Sequence, residues 1–120
     1  MTAGAAIAMD PVAVVQRQRE AYNARDLARF LAEYSDEIEV YRLPAAVPAI
    51  VGKEQFGDFY ATQRFNCAGL HAELRGRMAF GSKVIDHERI SGVRDQSFDV
   101  AVAYEVRNGL IVRTWAIAAE

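Results

Sequence analysis

The chain has 120 residues, 52% of them hydrophobic and 25% charged, with a formal net charge of −2. That describes one ordinary globular domain, long enough to bury a core without staples. The acidic balance and singly scattered Lys and Arg argue against the basic stripe of a nucleic-acid binder, and the one cysteine, Cys67, excludes an internal disulfide or a Cys-rich metal site.

Residues 1–9 read as a loose N-terminal tail, and 10–120 as a single domain. MTAGAAIAM is small and apolar, but it lacks the basic start and long apolar run of a secretory leader. No apolar run approaches the roughly 20 residues of a membrane span. A lone cysteine fits a reducing compartment, so the expected location is cytoplasmic. Cys67 itself reads as a packed or partly exposed thiol; the alternative is a nucleophile served by His71, four residues on.

Asp10-Pro11 predicts a helix start, with Asp at the N-cap and Pro in the first turn. This helix runs to about Ala24 on a stripe of Val14, Val15, Ala21 and Tyr22. Gln18 falls inside the stripe, where a polar group needs a partner. Asp26 can cap a second helix, in which Leu27, Phe30, Leu31 and Tyr34 keep the i, i+3, i+4, i+7 spacing. Ile38 to Leu43 reads as a short strand and LPAAVPAIVG as a loop. Lys53 to Phe65 reads as a third helix, with Phe56, Phe59 and Tyr60 on one stripe.

From Leu70 the period drops to two. Leu70, Ala72, Leu74, Met78 and Phe80 oppose His71, Glu73, Arg75 and Arg77, the latter expected on a solvated or interface face. A turn at FGS leads into Lys83–Ile90. Phe98, Val100, Val102, Tyr104 and Val106 then share one face of a further strand. Asn108-Gly109 supplies the positive φ angles of a tight hairpin into Leu110–Ala118. Helices first and strands last predict an α+β cone: three N-terminal helices on a strongly curved, mainly antiparallel sheet, with an apolar cavity at the open end.

The stretch VIDHERI, residues 84–90, sets four ionisable side chains in a row. Alternation puts Asp86 and Glu88 on one face, His87 and Arg89 on the other. Two carboxylates at i and i+2 lie about 7 Å apart. In an apolar cavity at least one pKa rises, which suits a general acid or base near neutral pH. The alternative is structural pairing with Arg42 or a neighbouring strand. His71 and His87 are the only histidines, and no metal site is expected.

AYNARDLARFLAEYSDEIEVY, GKEQFGDFYATQRF, VIDHERISG and VAVAYEVRNGLIVRTWAI follow one another in an order that resembles the nuclear-transport-factor-2-like superfamily. The resemblance is nearer its SnoaL-like and ketosteroid-isomerase-like branch and covers about Pro11 to Ala118. It implies a homodimer through the sheet face. It also implies a pocket between sheet and helices; a small hydrophobic ligand is expected there, and no cofactor, nucleic acid or membrane partner is expected. It favours Asp86 and Glu88 toward the pocket as catalytic candidates, and His87 toward a dimer partner or solvent unless a bulge shifts the register. The oxyanion donor of ketosteroid isomerase falls on Gln18, its general-base aspartate on Arg42, and its neutral carboxylic acid near Ala103 or Tyr104. An arginine stays protonated and cannot be a general base, so that activity is not expected.

Gln18, Tyr22, Arg42, Tyr60, Tyr104 and Trp115 are the ligand-contact candidates. Gln18 and Tyr22 can meet a ligand carbonyl or satisfy buried backbone. Arg42 can meet a carboxylate of the protein, a carboxylate of a ligand, or solvent. Two functions stay open: a cofactor-independent isomerase, cyclase or hydratase acting on a hydrophobic carbonyl compound, and a non-catalytic ligand-binding or dimerisation module. Whether Arg42 closes onto Asp86 and Glu88 discriminates between them.

Overall fold

A computed structural model describes residues 9–119, so the expected N-terminal tail lies outside the described residues except for Met9. Helices α1 (Pro11–Asn23), α2 (Leu27–Ala32) and α3 (Lys53–Gln63) pack on one face of a sheet. Its strands are β1 (Tyr34–Arg42), β2 (Ile50–Val51), β3 (His71–Phe80), β4 (Lys83–Ser91), β5 (Phe98–Arg107) and β6 (Leu110–Ala118). The order across the open sheet is β2-β1-β6-β5-β4-β3. Among the described residues only the β1–β6 pair is parallel. None of the described helices is long and apolar enough to cross a membrane.

Helix α1 starts at Pro11, but the Asp10 carboxylate makes no capping bond, contrary to expectation. Asp26 does cap α2, accepting the Arg29 N–H at 3.1 Å. Helix α2 ends at Ala32, short of the expected Tyr34. The cause is tertiary: the Ile111 N–H donates to the Glu33 carbonyl at 2.9 Å, and Tyr34 pairs with Ile111. The last strand thus captures residues that helical spacing had claimed, and β1 begins at Tyr34 rather than Ile38. Ile50 and Val51, read as loop, form β2 against Val40 and Glu39. Phe30, Phe56, Ile38, Val14, Val15, Val84 and Ile111 make up the innermost core.

Strand β3 carries one irregularity. Leu74 pairs with Glu88 and Gly76 with His87, so Arg75 is an extra residue. Such a bulge reverses which side each later residue faces. Arg77 therefore turns inward, while Met78 and Phe80, expected in the core, are 58% and 53% exposed.

The two faces of the sheet differ sharply. Val84, Asp86, Glu88 and Ile90 of β4 point under the helices; Ile85, His87 and Arg89 point away. The outer face carries an apolar file running Tyr41, Trp115, Ala103, Ile85, Met78 across five strands, with Tyr41 and Trp115 stacked at 6.0 Å. Charged rows flank it. On one side Arg113 bridges Glu39 at 3.0 Å and Glu105 at 2.9 Å; on the other Asp99 holds Arg89 at 2.8 Å and His87 at 2.7 Å.

Candidate functional site

Between α1, α3 and the inner face of the sheet lies a cavity of about 150 Å³. Its inner end is built from Phe30, Tyr34 and Phe56, which are nearly fully buried and pack ring to ring at 4.5–5.8 Å. Its outer end is rimmed by Arg42, Phe59, Arg64 and Phe98, all more accessible. Aliphatic and small residues of β1, β5 and β6, among them Val40, Val100 and Ala116, line the sheet side.

The two carboxylates of β4 have different partners. Asp86 is fully buried and bound bidentately by Arg77, Nε to Oδ1 at 2.7 Å and Nη2 to Oδ2 at 2.9 Å. The third guanidinium nitrogen, Nη1, donates to Gln16 Oε1 at 3.0 Å. A parallel pair of charge-assisted bonds is what holds a carboxylate ionised out of water. Asp86 does not line the cavity; Glu88, two residues along on the same face, does. Glu88 is 5% exposed, and among the described residues its side chain has no hydrogen bond or ion pair. Burial pushes its carboxyl up to about 7, and the neighbouring charge of Asp86 pushes the same way, against Arg19 and Arg77.

Beside Glu88 runs a directed chain of hydrogen bonds. The Tyr34 hydroxyl donates to Gln18 Oε1 at 2.9 Å, and Gln18 Nε2 donates to the Tyr104 hydroxyl oxygen at 3.3 Å. In this orientation Tyr104 accepts, and among the described residues its own proton has no acceptor. Burial holds Tyr34, Tyr60 and Tyr104 above the ordinary tyrosine range, and Glu88 adds to this, so all three stay protonated donors. Gln18 thus has the partners that its place in the stripe demanded, and its amide orients Tyr104.

Of the expected contact residues, Gln18, Tyr22, Arg42, Tyr60 and Tyr104 line the cavity together with Glu88. Trp115 does not: Thr114 and Ala116 face inward, so alternation sends Trp115 to the outer face beside Tyr41. For the same reason Tyr104 faces the cavity and Ala103 does not. Among the described residues Arg42 makes no salt bridge to either carboxylate of β4; its guanidinium stands 5.2 Å from the Phe59 ring centre at the rim. The partner of Asp86 is Arg77, which alternation alone had placed outside. Its signal was Gly76, a glycine within a strand, which marks bulges. Sequence reading also missed Arg19 and Arg64. Arg64 reaches the same Phe59 ring at 5.2 Å. Arg19 Nη1 donates to the Ala72 carbonyl at 3.1 Å, while its buried Nε has no partner among the described residues. Among the described residues no three of His, Cys, Asp or Glu cluster as metal ligands.

The SnoaL-like domain model matches residues 15–114. The chain belongs to that family. No curated relative matches it. Solved structures share the fold. An uncharacterised cystatin-fold protein from Novosphingobium aromaticivorans superposes with a TM-score of 0.80 at 20% identity, covering 90% of this chain and 97% of its own. A proposed ketosteroid isomerase from Kribbella flavida gives 0.79 at 17% identity, covering 92% and 78%. TerC, crystallised with polyporic acid, gives 0.73 at 13% identity, covering 92% of each chain. These likenesses establish the nuclear-transport-factor-2-like α+β architecture of this SnoaL-like domain.

Proposed function

We propose that this SnoaL-like protein binds a small carbonyl compound in the helix–sheet cavity and moves a proton on the carbon beside the carbonyl, without a cofactor. Glu88 is the base and Tyr104 the donor to the carbonyl oxygen. The observation that carries the reading is the inequality of the two carboxylates: Arg77 takes Asp86, and Glu88 is left buried and unpaired in the cavity.

The chemistry balances within these residues. The C–H bond breaks, the proton passes to the Glu88 carboxylate, and the electron pair moves onto the carbonyl oxygen as an enolate. The Tyr104 hydroxyl, aimed by Gln18, stabilises that charge by hydrogen bonding. Glu88 then returns the proton to the same or a neighbouring atom, which makes the step the core of an isomerisation, a cyclisation or a water elimination. With its pKa near 7, Glu88 is partly ionised at neutral pH and serves both as acceptor and as returning acid. Asp86 and Arg77 act through Glu88 and are positioning residues.

The test needs no knowledge of the product. Small ketones and keto acids are incubated with the protein in D₂O, and deuterium uptake beside the carbonyl is followed by NMR. Exchange should be catalysed by the native chain and fall by about 100-fold or more in Glu88→Gln. Exchange at the native rate in that variant would remove Glu88 from the role, and no exchange with any carbonyl compound that binds would favour the ligand-binding alternative.

A second copy of the chain is the proposed occupant of the outer sheet face. The apolar file through Trp115 and Ala103, bordered by charged rows, has the layout of an apolar interface core with a polar rim. Sedimentation should give a dimer that Ala103→Arg dissociates; a 13.3 kDa species alone in the native protein rules it out.

A further inference from the structure

The ionisable residues that line the cavity are unevenly balanced. The whole chain carries a net charge of −2, yet the cavity has three arginines, Arg19, Arg42 and Arg64, against one carboxylate, Glu88. Two of the arginines stand together at the rim, each guanidinium 5.2 Å from the centre of the Phe59 ring. Among the described residues neither has a carboxylate within salt-bridge distance. Arg64 directs part of its donors at a neutral oxygen: Nη1 donates to the Gln63 carbonyl at 2.8 Å. The aromatic face holds the guanidinium planes without consuming the N–H groups at their edges. The inward cation deeper on the sheet is matched: Arg77 has Asp86.

The rim also opens onto the same space as the base. Arg42, Arg64, Tyr60 and Glu88 all line that one cavity. The space between is small. At about 150 Å³ it matches the size of a dry cavity that admits one benzene-sized molecule, and it is walled by Phe30, Phe56, Phe59, Tyr60 and Phe98. That volume suits a body of one ring better than a polycyclic one.

We infer that the ligand is a small acid with one ring or an equivalent short chain, its carboxylate held by Arg42 and Arg64 at the rim and its body lying among the phenyl rings. This rests on the reading that the cavity binds a small molecule, and it assigns the end by which that molecule is held. A carboxylate at the rim points the rest of the acid inward, toward Glu88 and Tyr104. The cationic rim compensates the charge of the ligand carboxylate.

Calorimetry with benzoate, phenylacetate and phenylpyruvate, against benzamide and naphthoate, tests both parts. The one-ring acids should bind at least about 10-fold more tightly than the amide, the ratio expected for losing one charge-assisted contact, and more tightly than the two-ring acid, whose second ring overfills the cavity. Arg42→Met and Arg64→Met should each weaken the acids about 10-fold while leaving benzamide unchanged, and unliganded melting curves confirm that both variants fold. Glu88→Gln should bind the acids at least as well as the native chain. Equal binding of acid and amide, acid binding that survives in the double arginine variant, or no binding of any one-ring acid each overturns the inference. The outcomes separate from those of the proton-transfer reading. Acid binding without deuterium exchange sinks only the catalytic role of Glu88. Exchange on neutral ketones with no preference for acids sinks only the carboxylate rim.

Discussion

Strand β4 supports two clusters of ionisable side chains, one on each face, and they come out opposite. Outside, Asp99 of β5 binds His87 at 2.7 Å and Arg89 at 2.8 Å. Those contacts hold the Asp99 carboxyl down at about 2. Inside, Glu88 has no partner among the described residues, and burial lifts its carboxyl to about 7. The outer trio of Asp, His and Arg looks more like a catalytic constellation, yet its members are half-exposed and already satisfied. The inner residue looks unremarkable in sequence and carries the unmatched charge. What separates them is access to water and to counter-ions, not residue type.

Breaking the inner side at its strongest contact should have the largest effect. Arg77→Met leaves Asp86 buried and unpaired, and it should lower stability by roughly 3–5 kcal/mol in urea denaturation. The double variant Arg77→Met, Asp86→Leu should recover most of that loss. A single variant as stable as the native chain would show that the pair is not holding the sheet together.

Glu88→Gln sharpens the comparison through pH. The folded carboxyl takes its proton near 7 and the unfolded one near 4.5, so the folded state binds more protons between those values. Stability linked to Glu88 is therefore complete below about pH 4.5 and is lost as pH rises through 7. Glutamine removes the dependence. The variant should match the native chain at low pH and exceed it by up to about 3 kcal/mol on the alkaline side, judged from unfolding midpoints in the two ranges. A pH-independent difference would place Glu88 in solvent, and one of the opposite sign would place it in an ion pair. Tyr34→Phe comes next: it deprives Gln18 Oε1 of its donor, for a loss of roughly 1–3 kcal/mol by the same measurement. Asp99→Asn should move the melting temperature least of the four and leave ligand binding in the cavity unchanged, because the outer trio is solvent-screened.

How much of this was legible in the sequence depended on how local each cause was. Periodicity identified α1 and α3, the hairpin strands and the Asn108-Gly109 turn, because those come from spacing and from the φ angles a residue tolerates. It also separated Asp86 and Glu88 from His87, since alternation along a strand is a backbone property. It failed at Tyr34, where helical spacing lost to pairing with Ile111, and at Trp115, whose aromatic bulk suggested the cavity while its register placed it outside.

The SnoaL-like α+β fold, the inward carboxylate pair and the polar residue in the first helix were thus determined by the sequence itself, because each arises from short-range pattern. Only the tertiary structure decided which carboxylate is free. The bulge at Arg75 turns Arg77 inward to Asp86, and the span from β1 to the end of α3 gathers Arg42 and Arg64 around Phe59. Both depend on how neighbouring elements pack, Arg77 meeting Asp86 across the β3–β4 hairpin and Arg42 meeting Phe59 of α3 from the end of β1. Charge pairing is settled by distance in space, which no local pattern encodes.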